Sequence, residues 1–272
     1  MLIDAHTHLN GELLFPNRQQ HLEDFEKSGG KILVNAGANE VYNQNALTIA
    51  QEAKILFPNL QIKMTLGYHP GDLSNFTPLL GGDVHDLEQF YLKHREHVVA
   101  IGETGIDLHY PNSASLEDQQ YMFRLQAELA RAYQLPLVVH SRDAFDETME
   151  VLKDFTDIKL YFHCRGYGAE EVKKAEQMFP QLRLGFTGVI TYPKAHATRE
   201  SLLAMQTSKV VIETDAPYLP PQNFRGQTNY PAYVRYGYEK CAEVLGIGKE
   251  ELGKQVEENF YDIFWNYQDN VL

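Results

Sequence analysis

Residues 4–14 read DAHTHLNGELL, and this stretch decides between two folds that share one alternating pattern. An open, doubly wound α/β sheet usually carries a glycine-rich phosphate-binding turn directly after its first strand. Residues 4–14 hold no such fingerprint. They hold instead His6 and His8, one residue apart behind an apolar start. On an extended strand, residues two apart face the same side, so both imidazoles can aim at one point, as ligands of a metal do.

Outward from this stretch, short runs rich in Val, Ile and Leu alternate with longer stretches of helical period. Strands are expected at residues 2–6 (LIDAH), 31–37 (KILVNAG), 62–69 (IKMTLGYH), 98–105 (VVAIGETG), 135–141 (LPLVVHS), 159–164 (KLYFHC), 182–188 (LRLGFTG) and 209–215 (KVVIETD). Between them lie amphipathic segments such as 115–134 (SLEDQQYMFRLQAELARAYQ) and 142–155 (RDAFDETMEVLKDF), with apolar residues at spacings of three and four. Near-continuous apolar strands alternating with helices imply a parallel sheet covered by helices, and eight such units are the count of a (β/α)8 TIM barrel. No Pro/Gly-rich linker divides the chain, so residues 1–272 are expected to form one domain. The stretch 67–83 (GYHPGDLSNFTPLLGGD) is long for a strand-to-helix loop, and such loops often carry function.

Composition limits what the barrel can do. The chain has 24 basic and 37 acidic residues, a formal charge of −13, which argues against a broad cationic surface gripping duplex nucleic acid. An anionic substrate must therefore be held locally. Two cysteines, Cys164 and Cys241, make no disulfide framework and fit a reducing compartment, so a cytoplasmic location is expected. No window approaches the roughly 18 consecutive apolar residues of a membrane span, and nothing points to an obligate protein partner.

In a TIM barrel the active site is built at the C-terminal ends of the strands. Here the first expected strand ends in His6 and His8, the third in His69, the fourth in Glu103, the fifth in His140, the sixth in His163 and the eighth in Asp215. Ionisable groups behind apolar strands are costly to bury unless paired or metal-bound, so their common position at one rim favours a shared ligand. Mixed imidazole and carboxylate donors suit Zn²⁺, Mn²⁺, Fe or Co, with Mg²⁺ where carboxylate and water dominate. Glutamate has two oxygens and can bridge two ions. One divalent ion is thus expected on His6, His8, Glu103 and Asp215, and a second on Glu103, His140 and His163. A pair of ions about 3.5 to 4 Å apart stabilises both attacking and leaving oxygens in a displacement at phosphorus.

Several stretches in order, namely IDAHTHLN, GYHP, AIGETGIDLHY, LPLVVHSRDA, FHC, GFTGVITYPKA, VIETDAPYLPP and RGQTNYP, resemble the TatD family of metal-dependent hydrolases and deoxyribonucleases. The resemblance runs almost end to end. It implies a barrel that binds divalent metals and hydrolyses phosphodiester bonds, often from a DNA end. By motif it makes His6, His8, Glu103, His140, His163 and Asp215 the metal ligands, and His69 a phosphate-side histidine that serves as general acid or phosphate contact. Asp215 would orient or deprotonate the attacking water, with Glu103 between the ions. Arg142, whose guanidinium fork fits phosphate oxygens, joins Arg165, Lys194 and Arg225 as cations for the substrate phosphate. Two residues depart from the family pattern: Arg165 stands where an aromatic residue is usual, and Phe224 where histidine is expected. Both touch the substrate side and leave the ligand set complete.

Two functions follow from these residues. The first is a phosphodiesterase that trims nucleic-acid ends or single strands, with Tyr68, Tyr167, Tyr192, Tyr218 and Phe224 as aromatic faces for an unpaired base. The alternative keeps the barrel and its metals but acts on a small amide, lactone or ester.

Overall fold

The computed structural model describes residues 1–75, 82–111, 113–163 and 166–265. Cys164 and Arg165 lie outside the described residues, as does part of the long loop at 67–83. Eight strands run in sheet order β1 to β8, each parallel to the next. They are β1 (Leu2–Thr7), β2 (Gly30–Asn35), β3 (Gln61–Leu66), β4 (Val98–Asp107), β5 (Leu137–Arg142), β6 (Leu160–Phe162), β7 (Leu182–Phe186) and β8 (Val210–Ile212). The helices are α1 (Arg18–Lys27), α2 (Glu40–Leu56), α3 (Gly82–His94), α4 (Leu116–Ala132), α5 (Phe145–Leu152), α6 (Ala169–Met178), α7 (His196–Ala204), α8 (Val234–Leu245) and α9 (Lys249–Phe264). This is the expected (β/α)8 TIM barrel. No helix among the described residues is long and apolar enough to cross a membrane.

Five strands end sooner than the sequence runs implied, while β1, β4 and β5 run one or two residues further. Pairing stops at Leu66, Phe162 and Ile212, so His69, His163 and Asp215 stand on the loops beyond β3, β6 and β8. The seam between the last strand and the first closes at these loops. Asp215 N donates to His6 O at 2.9 Å and His8 N to Ala216 O at 2.6 Å. Buried Asp4 braces the same seam, its carboxylate accepting from Thr214 N at 2.8 Å and Thr214 Oγ1 at 2.6 Å.

Strand side chains alternate between two apolar layers, as the period of two demands. On β2, Leu33 joins a large cluster with residues of the surrounding helices, such as Ala46, Ala50 and Phe123. Its neighbours Ile32 and Val34 join a second cluster with Ile3, Val99, Val138 and Val211, which also takes in Phe260, Ile263 and Phe264 of α9. Most of these strand residues, Ile3, Val99, Val138 and Val211 among them, are second in their strands, so α9 packs against the N-terminal end of the barrel. Local signals place the helices: on α4, Ser115 Oγ caps Asp118 N at 3.1 Å, Glu117 and Asp118 sit in the first turn and Arg131 in the last.

Of four register shifts in the ladders, two bear on the rim, one in β1 between Asp4 and Thr7 and one in β4 between Ile101 and Thr104. Each puts one extra residue on its strand, a bulge that re-aims side chains. The residues inside them include His6 and Glu103. Just beyond, Gly105 sits at φ +139°, where a Cβ would stand 1.9 Å from His140 O. Only glycine lets β4 approach β5 this closely.

Candidate metal centre

Glu103 is the centre of the C-terminal rim, and its two oxygens face different groups. Oε2 lies 3.2 Å from His6 Nε2 and 3.3 Å from His8 Nε2. Oε1 lies 2.5 Å from His163 Nε2, 2.8 Å from His140 Nδ1 and 3.5 Å from His69 Nε2. Asp215 closes the first side, with Oδ1 at 3.5 Å from His8 Nε2 and 3.8 Å from His6 Nε2. All seven side chains expected at the strand ends meet here, and the bulges of β1 and β4 supply the two most buried of them.

The donor set fits a cation. Buried His6 Nε2 and Glu103 Oε2 have no hydrogen-bond partner among the described residues, a costly state unless something else takes their lone pairs. Three overlapping groups hold their ligand atoms within 4.8 Å of one another: His6, His8 and Glu103; His6, His163 and Asp215; and His69, Glu103 and His140.

Neighbours fix which nitrogen faces inward. His140 Nε2 lies 3.1 Å from Asp107 Oδ2 at the end of β4. Asp107 Oδ1 accepts from His109 N at 2.8 Å, so the carboxylate is held from both sides. A carboxylate only accepts, and one faces each ring nitrogen, so His140 holds a proton toward Asp107 on Nε2 and another toward Glu103 on Nδ1; a cation taken up on Nδ1 would replace the second. His69 is set the other way. Gly71 N donates to its Nδ1 at 2.9 Å, which leaves the proton of the neutral ring on Nε2, facing Glu103. The outward nitrogen therefore accepts at His69 and donates at His140.

Charge is distributed to match. Burial alone raises the Glu103 carboxyl, but His163, His69, His6 and His140 outweigh it and hold it well below the usual carboxylate range. Burial pushes Asp215 up to about 7 against the opposing pull of His8. Burial likewise drives His69 down to about 3, so this ring is neutral. For His140 burial acts downward, but hydrogen bonds to Asp107 and Glu103 prevail and raise it to about 9. Asp215 also sits at φ 56°, a left-handed backbone that Asp tolerates better than most residues.

The cations and aromatics named from the sequence are less concentrated. Arg142 is exposed at the end of β5 and lies over Tyr110 at 5.1 Å, its Nη1 3.3 Å from the Tyr110 hydroxyl. Arg225 lies over Tyr192 at 4.9 Å, and both line a cavity with Lys194. Arg165 lies outside the described residues. Tyr218, 54% exposed, has its ring 6.0 Å from that of His8. Phe224 stacks on Tyr233 at 4.2 Å, which occupies one of its faces. Tyr68 is buried in the core, and the Tyr167 hydroxyl lies 2.8 Å from Ser141 Oγ.

Sequence reading missed several supports. Asp107 ends β4 behind the apolar Ile106, so the rule that selected Glu103 and Asp215 applies to it equally. Gln126 of α4 bonds Tyr68 N at 2.8 Å, Tyr68 O at 3.1 Å and Thr104 Oγ1 at 2.7 Å, fixing the backbone beside His69 and Glu103. No local signal marks such a helix glutamine. Glu213 lies 3.8 Å from His163 Nδ1 and takes a hydrogen bond from the Tyr161 hydroxyl.

Known proteins resemble this chain over nearly its whole length. The model of a family described as TatD related DNase matches residues 3–265. The chain is 30% identical over 266 residues to YabD of Bacillus subtilis, an uncharacterized metal-dependent hydrolase, covering 97% of this chain and 99% of that one. It is 30% identical over 270 residues to YcfH of Escherichia coli, also an uncharacterized metal-dependent hydrolase, covering 97% and 95%. The crystal structure of YjjV, a TatD homolog from Escherichia coli K12, superposes with a TM-score of 0.87 at 25% identity over 97% of each chain.

Proposed function

This chain belongs to the TatD family of metal-dependent hydrolases, and from that premise we propose that it is a phosphodiesterase that trims nucleic-acid ends or single strands. The observation that carries the reading is Glu103, which turns one oxygen to His6 and His8 and the other to His140 and His163. A carboxylate so divided suits two divalent ions, the first on His6, His8, Glu103 and Asp215, the second on Glu103, His140 and His163. Mg²⁺, Mn²⁺ and Zn²⁺ all suit these donors, and bound there they supply a nucleophile at neutral pH and offset charge on phosphate oxygens.

The chain's own groups do the rest. The Asp215 carboxylate orients the attacking water and accepts its proton. His69, neutral with its proton on Nε2, donates to a phosphate or leaving oxygen and has no need to be an imidazolium. Tyr218 offers an exposed ring beside His8 for an unpaired base. The net charge of −13 leaves few cations for following a long duplex, which favours ends and single strands over internal duplex sites.

The test is cleavage of end-labelled single-stranded, blunt duplex and closed circular DNA over a salt series, with Mn²⁺ or Mg²⁺ fixed and with a chelator as control. Linear single strands are expected to be cut and circles spared, with no turnover in chelator. Log affinity is expected to fall against log salt with a slope of about 2 or below, two or three phosphates at about 0.7 each. Efficient cutting of circles or a steep slope overturns end trimming. Hydrolysis of a small lactone or amide with no cleavage of any nucleic acid assigns the centre to that substrate class instead.

A further inference from the structure

Two cavities of similar size differ in charge. One, about 460 Å³, opens between α2 and α3 and carries the acids Glu40 and Asp86. The other, about 490 Å³, lies on the loops that follow β7 and β8, where the ionisable liners are Lys194 and Arg225 and none is acidic. In a chain with 37 acidic and 24 basic residues, a cavity with two cations and no acid is suited to an anion. Its size falls within the roughly 300–1,000 Å³ of small-ligand clefts.

This second cavity is braced to the metal centre. Gln222 stands seven residues after Asp215 on one loop. Tyr192 OH donates to Pro220 O at 2.8 Å and Gln222 N to Thr191 Oγ1 at 2.7 Å, which join the β7 and β8 loops. Asn229 Nδ2 holds the same loop from below through Thr214 O at 2.9 Å and Tyr218 O at 2.6 Å. Within the cavity the Arg225 guanidinium lies 4.9 Å over the Tyr192 ring, a cation–aromatic pair of the kind on which bases stack. Gln222 Oε1 is buried and has no hydrogen-bond partner among the described residues. A buried acceptor of this kind calls for a donor.

We propose that this cavity holds one nucleotide of a single-stranded substrate, its base against the Tyr192–Arg225 pair with an N–H on Gln222 Oε1, and its phosphate beside Lys194. The inference rests on the nucleic-acid reading of the metal centre and adds a place for a base away from the scissile bond. Every nucleobase carries an N–H on its pairing edge, so one acceptor gives affinity with little choice among bases.

The test is an abasic scan with the Mn²⁺-loaded enzyme. A short single strand is cut with one base removed at each position in turn, and kcat/KM is measured for wild type, Gln222→Leu and Arg225→Ala. In wild type, base removal at one position away from the cut is expected to cost about 10-fold, the worth of one stacked base. That penalty should shrink in both variants, since Arg225→Ala takes away part of the stacking pair and Gln222→Leu the acceptor for the base N–H. Lys194→Ala is expected to weaken all strands alike and to lower the salt slope by about 1. A flat scan in a wild-type enzyme that cuts the intact strand overturns the cavity alone, as does a penalty that persists in both variants. A wild type that cuts no strand at all overturns the nucleic-acid reading and this inference with it.

Discussion

The two ends of the barrel are buried to the same degree and filled in opposite ways. At the N-terminal end, Phe260 is 0% exposed and Phe264 2%, seated with Ile263 among Ile3, Val99, Val138 and Val211. At the C-terminal end, His6 is 1% exposed, Glu103 1% and His163 3%. Burying the apolar end stabilises the fold in proportion to the area removed from water. Burying the polar end costs free energy, because polar atoms such as His6 Nε2 and Glu103 Oε2 give up water without gaining a hydrogen bond. Degree of burial therefore does not separate the structural end from the functional one. The state of the buried atoms does, and mutation of each end should move a different quantity.

The largest effect is expected at the apolar end. Phe260→Ala removes a fully buried ring that contacts Phe264 at 4.9 Å, and large-to-small changes of this kind cost about 3–5 kcal/mol. Urea unfolding should show that loss, while metal affinity and turnover per folded molecule stay as in the parent protein. An equal loss of metal affinity would mean that the two ends act as one unit, and the contrast drawn between them would fail.

Glu103→Ala should do the reverse. Removing the carboxylate that faces both groups of imidazoles is expected to lower turnover at least ~100-fold. Far-UV circular dichroism should keep the barrel signature, because the apolar layers at the strand starts lie away from the rim. A near-normal rate would show that Glu103 joins nothing and that the centre works from one side only.

How much of this was legible follows from where the signals lie. The eight strands could be read because each is a local run of β-formers, and the alternation with helices fixes a parallel sheet without any long-range knowledge. The seven rim residues could be read because ionisable groups behind apolar runs stand out in one dimension. The lengths of β3, β6 and β8 were overestimated, since nothing local says that pairing stops before His69, His163 and Asp215. The bulges in β1 and β4 and the two-way division of Glu103 depend on register between distant segments. So do the seat of Arg142 on Tyr110, the stacking of Phe224 on Tyr233 and the packing of α9 against the barrel end. Asp107 is different, for the rule that found Glu103 also covers it. It is missed only because a second carboxylate in GETGID looks redundant until His140 is seen between the two.

That position sharpens the contrast with the smallest of the three effects. Asp107 touches His140 Nε2 at 3.1 Å, while Glu103 Oε1 faces His140 Nδ1 at 2.8 Å. With Asp107 as acceptor the Nε2 proton is held there, so the proton given up to make room for a cation is the one on Nδ1. Asp107→Asn keeps the shape but allows the amide NH2 to face Nε2, which favours the tautomer with its proton on Nδ1 and masks the ligand. If the amide oxygen faces Nε2 instead, a neutral acceptor still makes the imidazole a weaker donor to a cation. Metal affinity, read by competition with a chromogenic chelator, is expected to fall about 10–100-fold, the usual effect of losing such a supporting carboxylate. Stability in urea should change by about 1 kcal/mol or less, the scale of one hydrogen bond, so the substitution moves metal binding where Phe260→Ala moves the fold. Unchanged metal affinity together with a loss of stability would make Asp107 part of the scaffold, a buried carboxylate that braces His109 and the end of β4 and does nothing for the ligand.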